Sequence, residues 1–293
     1  MKRVIRKSVG AIIVLVAIAF AFYTQRVRIA DLVAESSAPE LPAAVGYAEA
    51  VAGEEKVMGV EGVKVVEEVD GTDATPTSVV APTPAPAQTQ PPSVPLKPST
   101  TSIPSSFNLA VPFTSQAPFS NWDETHQETC EEAAVYMAAE FFKGATGVID
   151  PAVAETELQR LVAMENDLFG YFEDTTADET MLLVSKAYPN LHVQTMNDLT
   201  VENIKAEIAA GHPVIVPTAG RMLRNPNFTG EGPLYHMIVI RGYTETQFIT
   251  NDPGTRRGNG YVYDIDTVMT AMHDWNGGDV GNGKKVVIVM YPL

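Results

Sequence analysis

The 293-residue chain has almost no cysteine, since Cys130 is its single thiol. One thiol excludes an intrachain disulfide. An unpaired cysteine is a buried small side chain, an intermolecular link or a reactive thiol. Packing is the commonest of these roles for a cysteine taken alone, so the neighbouring sequence has to decide among them.

Basic residues are scarce in the C-terminal two thirds of the chain. Residues 107–293 hold 11 Lys or Arg against 25 Asp or Glu, a net charge of −14, whereas residues 1–106 carry −2. This acidity argues against nucleic acid and anionic lipid headgroups as partners of residues 107–293, because both need a basic face. The 187 residues are enough for one well-buried core.

Long apolar runs are also rare, and one stands out at the N-terminus. Residues 8–25 are uncharged and follow four basic residues, a pattern that fits a membrane anchor. A signal peptide cleaved after "AFA" at 19–21 is the alternative. We favour the anchor, so residues 1–29 are predicted to hold a single-pass segment in the cell membrane with the C-terminal domain outside. Cleavage would make the protein secreted.

Residues 30–106 lack apolar periodicity and are rich in Ala, Pro and Thr. The run "PTSVVAPTPAPAQTQPPSVPLKPSTTSIPSS" cannot fill a core and is typical of an extended spacer. The stretch "VMGVEGVKVVEEV" is compatible with a weak strand or helix. We assign the whole segment to a disordered linker, which places the start of the folded domain at Phe107.

The sequence patterns in residues 107–293 predict helices first and strands later. The first helix is predicted at 128–144, with apolar residues at helical spacing, Thr129 as a candidate N-cap and Gly144 as a stop. Further helices are predicted at 150–166, 176–188 and 200–211, and strands at 212–218, 234–243, 247–252, 260–266 and 284–292. This order predicts an α+β fold with an antiparallel sheet.

Cys130 falls in the first turn of the first predicted helix, where the helix dipole favours a thiolate. His236 lies in the apolar run "YHMIVI", and Asp252 follows the next strand. Because these two strands form a hairpin, both side chains can reach one end of the sheet. The three residues form a candidate nucleophile, base and orienting carboxylate.

The segments "VPFTSQAP", "GHPVIVP", "HMIVIRGY" and "ITNDPG", together with the Cys-headed helix, resemble the papain-fold cysteine peptidases related to the bacteriocin leader-processing (double-glycine) peptidases. This is cysteine peptidase family thirty-nine in its stand-alone form. The resemblance covers about residues 108–292. It implies a papain-like α+β fold with Cys130 as nucleophile, His236 as general base and Asp252 as the carboxylate that orients the imidazole.

The resemblance also implies an oxyanion donor, a Gln shortly before the Cys. Gln116 in "FTSQAPF" matches that motif, although it lies fourteen residues ahead of the thiol. The insertion "FSNWDETH" accounts for the distance and leaves Gln127 as a rival. A second departure is "CEEA" in place of the Cys-Gly-Pro of many relatives.

The remaining polar residues are interpreted as structural. Four glutamates around Cys130 are predicted to form a solvated helix end rather than a metal site, namely Glu124, Glu128, Glu131 and Glu132. His212 is interpreted as structural and His192 as exposed, while His126 and His273 show no partner signal. Neither a cofactor nor a metal is predicted.

The sequence therefore predicts an exported, membrane-tethered cysteine peptidase that acts on a peptide or protein. Two alternatives remain at this point. One is a cell-wall peptide amidase or acyltransferase with the same thiol chemistry, and the other is a catalytically silent binding module with this fold. The sequence does not define the substrate or the oligomeric state.

Overall fold

The computed structural model describes residues 40–57 and 103–293. Two compact units are separated, Met1–Pro42 and Ala43–Leu293, and only residues 40–42 of the first are described. The predicted anchor at 8–25 and the Pro-rich run of the predicted linker lie outside the described residues. None of the helices in the described ranges combines the length and apolar character needed to cross a bilayer.

The second unit is built on one antiparallel sheet, as the sequence predicts. Its strands are Phe107–Asn108 (β1), Leu191–Met196 (β2), Val214–Thr218 (β3), His236–Tyr243 (β4), Gln247–Asn251 (β5), Asn259–Asp264 (β6) and Val287–Pro292 (β7). They follow the order β2-β7-β3-β4-β5-β6 across the sheet, and β1 pairs with β4 beside this path. The strands β3 and β4 consist almost entirely of buried residues, and the first four residues of β7 are buried as well, so these three strands form the centre of the core.

Six α-helices are present in the described residues. They are Tyr47–Val57 (α1), Cys130–Phe142 (α2), Pro151–Phe169 (α3), Ala177–Ala187 (α4), Val201–Ala209 (α5) and Ile265–Ala271 (α6). Side-chain caps fix three starts: the Asp150 carboxylate accepts from the first turn of α3, Thr176 and Glu179 form a capping box on α4, and Thr200 caps α5.

Helix α2 is the central helix of the domain and lies against β4. Eleven of its 13 residues are buried, so it packs on all sides rather than along one stripe. Its start differs from the prediction in one respect. Thr129 makes no side-chain cap, and its hydroxyl donates to the Gln116 carbonyl at 3.1 Å.

Four of these elements were not predicted, and the two-residue strand β1 is the first. Strand β2 lies at the sheet edge and alternates burial along "LHVQTM", which resembles a polar connection in sequence. The predicted strand at 260–266 ends at Asp264, and helix α6 follows directly. Helix α1 is the fourth.

Helix α1 lies inside the predicted disordered linker, so for residues 45–57 that prediction is wrong. Val45 forms a parallel bridge to Leu109, and Ala50 on α1 is buried in the main core. The composition of residues 30–106 did not indicate this helix, because "AAVGYAEAVA" has few large apolar residues that would mark a buried face.

A close backbone approach between β1 and β4 makes Gly242 indispensable. A Cβ at this position would lie 2.6 Å from the Phe107 carbonyl oxygen and 2.9 Å from Asn108 Cα. We therefore expect Gly242→Ala to lower the free energy of unfolding by about 1–3 kcal/mol in urea titrations. The control is Gly281→Ala, where a Cβ would meet nothing within 4 Å. Equal stabilities of the two variants would contradict this packing.

Candidate active site

Cys130 is the first residue of α2, and its thiol is 5% exposed. The sulfur donates to Glu131 Oε2 at 3.0 Å, and the backbone of Met237 on β4 also hydrogen-bonds to it. Burial and then the neighbouring Glu131 carboxyl raise the pKa of the Cys130 thiol well above its usual range. The thiol is therefore protonated in this arrangement, in contrast to the thiolate that the helix dipole alone would favour.

His236 is the first residue of β4 and precedes the strand residue that contacts the thiol. Its Nε2 lies 2.8 Å from Asp252 Oδ1, and both side chains are almost fully buried. The antiparallel β4–β5 pair explains the contact, since β4 begins where β5 ends and Asp252 follows Asn251 directly. The predicted base and its orienting carboxylate are thus in contact.

The Asp252 carboxylate is satisfied on every side. Besides His236, its oxygens accept from Gly254 N at 3.0 Å, Asn225 Nδ2 at 2.9 Å and Tyr263 Oη at 2.6 Å. Burial alone would raise the pKa of Asp252, but the His236 charge and these hydrogen bonds outweigh burial and hold the pKa below its usual range. The carboxylate is therefore ionised and can only accept.

This assignment fixes the role of each imidazole nitrogen. Because Asp252 can only accept, Nε2 of His236 carries the hydrogen that lies between them, and Nδ1 of the neutral ring holds the lone pair. Nδ1 has no hydrogen-bond partner among the described residues. Phe228 packs edge-on against the ring at 5.3 Å, and a Cβ on Gly254 would lie 2.8 Å from its Cε1. The ring is clamped between these two residues.

Gln116 lies beside the thiol segment despite its distance in sequence. Its side-chain Nε2 donates to the backbone carbonyls of His126 and Gln127 at 2.9 and 3.0 Å. Its backbone carbonyl accepts from the Thr129 hydroxyl. Both amide hydrogens are used, so Gln116 braces the loop before Cys130 in this arrangement. Its predicted oxyanion role stays a prediction, because it requires the amide to leave these carbonyls.

The rival Gln127 is exposed, and its Nε2 donates to the Trp122 carbonyl at 3.3 Å. A further donor is available closer to the sulfur. The backbone N–H of Cys130 is in the unsatisfied first turn of α2 and has no partner among the described residues. It is placed to bind an oxyanion at the thiol.

Two of the four glutamates predicted to be solvated are buried, and that prediction is wrong for them. Glu131 and Glu132 are 1% and 0% exposed, and Glu165 on α3, also fully buried, interacts electrostatically with Glu132. No lysine or arginine forms an ion pair with these three carboxyls among the described residues. Burial and mutual repulsion raise the pKa values of Glu131 and Glu132 well above normal, and burial raises the pKa of Glu165 to about 7.

The carboxyls do not form a metal site. No group of three His, Cys, Asp or Glu side chains within residues 40–57 and 103–293 could hold a metal ion. Carboxyls of this cluster are protonated instead, since two adjacent buried carboxyls cannot both ionise without a cation.

The site thus contains a thiol, an imidazole with an available nitrogen, a buried ionised carboxylate and a backbone donor. No hydrogen bond joins Cys130 Sγ to His236 among the described residues, because the thiol donates to Glu131. Comparisons with known proteins identify the family of this arrangement. The model of the Peptidase_C39 like family matches residues 108–277, more than half of the chain.

The chain belongs to the Peptidase_C39 like family. The predicted resemblance is therefore confirmed, and the family's papain-like α+β fold is consistent with the helices and antiparallel sheet. A crystal structure assigned to a C39-like peptidase from Bacillus anthracis is also similar. The match covers 64% of this chain and 98% of that one, with 16% sequence identity and a TM-score of 0.43. No curated protein shows significant similarity.

Sequence reasoning missed the residues that support Asp252. Asn225 lies in the loop "RNPNF", where Asn beside Pro indicates only a turn. Strand β6 has two tyrosines, Tyr261 and Tyr263, and no sequence motif distinguishes Tyr263 or Asn225 as a partner of a carboxylate. Asn251, next to Asp252, has a structural role, since its side-chain amide donates to the carbonyls of Val111 and Pro112.

The other histidines of the C39-like domain lie outside this site. His126 bridges Asp123 at 2.7 Å and Glu155 at 2.8 Å, a pair of partners that the sequence did not indicate. Burial lowers the pKa of His126, but the two carboxylates outweigh burial and raise it above normal. This bridge ties the loop before Cys130 to α3. His212 binds Glu207, as expected for a structural residue.

The buried carboxyls predict an unusual dependence of stability on pH. Their folded pKa values are raised, so the stability linked to their protons is complete below the unfolded value of about 4.3 and is lost as pH rises through the folded values. We expect the free energy of unfolding to fall between about pH 5 and 8, by up to about 1.4 kcal/mol per pH unit for each extra proton bound by the native state.

Urea titrations across this pH range test the effect. The double variant Glu132→Gln/Glu165→Gln should flatten the slope, while the exposed control Glu245→Gln should keep it. A wild-type stability that rises with pH in this window, or a double variant with the wild-type slope, would contradict the assignment of protonated carboxyls.

A second prediction concerns the thiol itself. Glu131→Gln replaces the carboxyl that lies 3.0 Å from the Cys130 sulfur and that repels a thiolate once it ionises, so the thiol pKa should fall. The pH dependence of alkylation by iodoacetamide measures this pKa. Glu128→Gln, which makes no contact with the sulfur, serves as control and should leave the profile in place. An unchanged profile in the Glu131 variant would remove this carboxyl as the cause.

Proposed function

We propose that the protein is a cysteine peptidase that hydrolyses peptide bonds with Cys130 as nucleophile, His236 as general base and Asp252 as the residue that orients the imidazole. Membership of the C39-like family supports a peptide or protein as substrate. The observation that carries the proposal is the buried contact between His236 Nε2 and Asp252, at the strand that the Cys130 sulfur touches.

The first chemical step moves one proton. Nδ1 of His236 takes the proton of the Cys130 thiol, and the imidazolium is stabilised by the ionised Asp252 carboxylate. The thiolate attacks the substrate carbonyl carbon, and the resulting oxyanion accepts from the Cys130 backbone N–H. Collapse of this intermediate breaks the C–N bond, and His236 returns the proton to the leaving amine.

The second half of the reaction consumes water. His236 Nδ1 takes a proton from a water molecule whose oxygen attacks the thioester carbonyl. The C–S bond then breaks and the carboxylic product leaves. His236 returns the proton to the sulfur, and the free thiol is restored. No oxidant or metal is required by this sequence of steps.

The proposed reaction requires a change of partner at the thiol. In the structure the sulfur donates to Glu131, so the proton must pass to His236 before attack. Substrate binding at the helix start supplies a reason for the change, because a carbonyl oxygen bound to the Cys130 N–H brings its carbon to the sulfur. The arrangement described here is on this view a resting state.

A non-catalytic binding module is the second candidate, and the same thiol supports it. A protonated, buried thiol that donates to a carboxyl is unsuited to nucleophilic attack if it stays there. In that case the fold and the His236–Asp252 pair would serve only to shape a peptide-binding cleft.

We also propose the cellular setting. The basic cluster and apolar run of residues 1–29 support a single-pass anchor in the cell membrane, with the C39-like domain outside the cytoplasm. The acidic surface charge of the domain is compatible with a peptide or protein substrate and argues against docking on anionic lipid.

Hydrolysis by the full-length protein tests the proposal. Wild type should cleave casein or a fluorogenic peptide mixture, and Cys130→Ser and His236→Ala should each lower the rate by about a hundredfold or more. Asp252→Asn should lower the rate strongly as well, because it takes away the charge that stabilises the imidazolium. His192→Ala, at an exposed position on β2, is the matched control and should retain the wild-type rate.

Purified sacculi, assayed in parallel with casein, separate a protein substrate from a wall peptide. Activity that persists in Cys130→Ser would remove this thiol as nucleophile. A wild-type protein that cleaves none of these substrates, and whose thiol labels only after denaturation, would favour the binding module.

A further inference from the structure

Residues 43–52 pack on the C39-like domain, although the helix that they lead into ends at Val57, forty-five residues of chain before Ile103. The stretch 43–52 is named the docking segment. Its backbone is bound at two points: Val45 N donates to the Asn108 carbonyl at 2.9 Å, and Ala110 N donates to the Val45 carbonyl at 2.7 Å. The docking segment therefore adds a short parallel pairing alongside the start of the folded domain.

Side chains of the docking segment reach the core. The Tyr47 ring packs edge-on against Phe141 at 5.8 Å and Phe142 at 5.2 Å, the last two residues of α2. Ala50 is 5% exposed, and its Cβ lies 3.5 Å from the place where a Cβ on Gly211 would stand. Gly211 follows the end of α5 and has a φ of +86°, a conformation that favours glycine. The position that faces Ala50 therefore has no side chain.

These contacts lie at the opposite end of α2 from the thiol. Phe141 is eleven residues along the helix from Cys130, which corresponds to about 17 Å. The docking segment thus does not cover the candidate active site. It supports the helix that carries the nucleophile, which distinguishes it from a segment that blocks a cleft.

None of these contacts depends on the chain between residues 57 and 103. Both partners of each hydrogen bond and ring contact named above lie in the described ranges. The intervening residues contain the Pro-, Thr- and Ala-rich run, a composition typical of an accessible spacer. A backbone cut there would leave the interface unchanged.

We propose that the docking segment is a built-in ligand of the C39-like domain, which keeps the domain bound to the N-terminal part of its own chain after the backbone is cut between residues 58 and 102. In the intact chain the connection gives the two surfaces an effective concentration of about millimolar. After the cut they are held by the interface alone. Cutting the spacer would then produce a two-chain protein rather than a freed domain.

The test uses the full-length protein with a recognition sequence for a site-specific protease placed within residues 81–92. After complete cutting at about micromolar protein, which is far below the effective concentration of the intact chain, we expect both fragments to co-elute in size-exclusion chromatography. They should separate in denaturant. Elution of the C-terminal fragment alone under native conditions would overturn the proposal.

A matched pair of substitutions on α1 shows whether the docking segment is responsible. Ala50→Arg places a charged side chain in the buried contact with α5, and Ala48→Arg places the same side chain at an exposed position one turn away or less. After cutting, the Ala50→Arg fragments should separate, and the Ala48→Arg fragments should stay together as in wild type.

Thermal unfolding of the uncut Ala50→Arg protein shows whether the domain still folds. If that variant fails to fold, Tyr47→Ala provides the second test, since it removes the ring contacts with α2 without adding a charge. The Tyr47→Ala fragments should co-elute less completely than the wild-type fragments at the same protein concentration. Fragments of a folded Ala50→Arg or Tyr47→Ala protein that remain together as wild type does would overturn the assignment to the docking segment.

Discussion

The buried contact between His236 and Asp252 is the constraint on which the rest of the site depends. An ionised carboxylate at 0% exposure is costly unless each oxygen has donors, and here four groups from β4, the 225 loop, the 254 loop and β6 supply them. The donors hold the end of the sheet together because they come from segments far apart in sequence. The bond from His236 Nε2 to Asp252 also selects the imidazole tautomer in which Nδ1 holds the lone pair. The contacts that stabilise this end of the sheet therefore also set the state of the imidazole.

The two halves of the site have opposing electrostatics. Asp252 favours a cationic His236, whereas Glu131 and its buried neighbours oppose an anionic Cys130. A thiolate–imidazolium pair is stable only if the imidazolium outweighs the carboxyls around the sulfur. Protons held by Glu132 and Glu165 reduce that opposition, since a neutral carboxyl repels a thiolate far less than a charged one. The protonation of Glu132 and Glu165 therefore sets the free-energy cost of ionising the thiol.

Local patterns in the sequence were enough to predict most of the fold and to single out Cys130, His236 and Asp252 as candidate residues. Helical periodicity located α2, and the hairpin of two apolar strands placed His236 and Asp252 at one end of a sheet. Burial of Glu131 and Glu132 was not predictable in this way, because acidic residues in a first turn ordinarily face solvent and favour the dipole. Their burial is imposed by α3 and α4, which pack over the helix start. Asn225 and Tyr263 act through distances between loops and strands that no local pattern contains.

Helix α2 connects these observations. Its first turn holds the thiol among buried carboxyls, and its last turn holds Phe141 and Phe142 against Tyr47 of the docking segment. A helix with nearly every side chain buried gains its stability from tertiary packing rather than from intrinsic propensity. Burial of Glu131 and Glu132 costs free energy at one end, and packing along the remaining length must offset it. The contacts that α1 adds at the far end contribute to that offset, so a segment distant from the thiol helps to keep the helix that carries Cys130 in place.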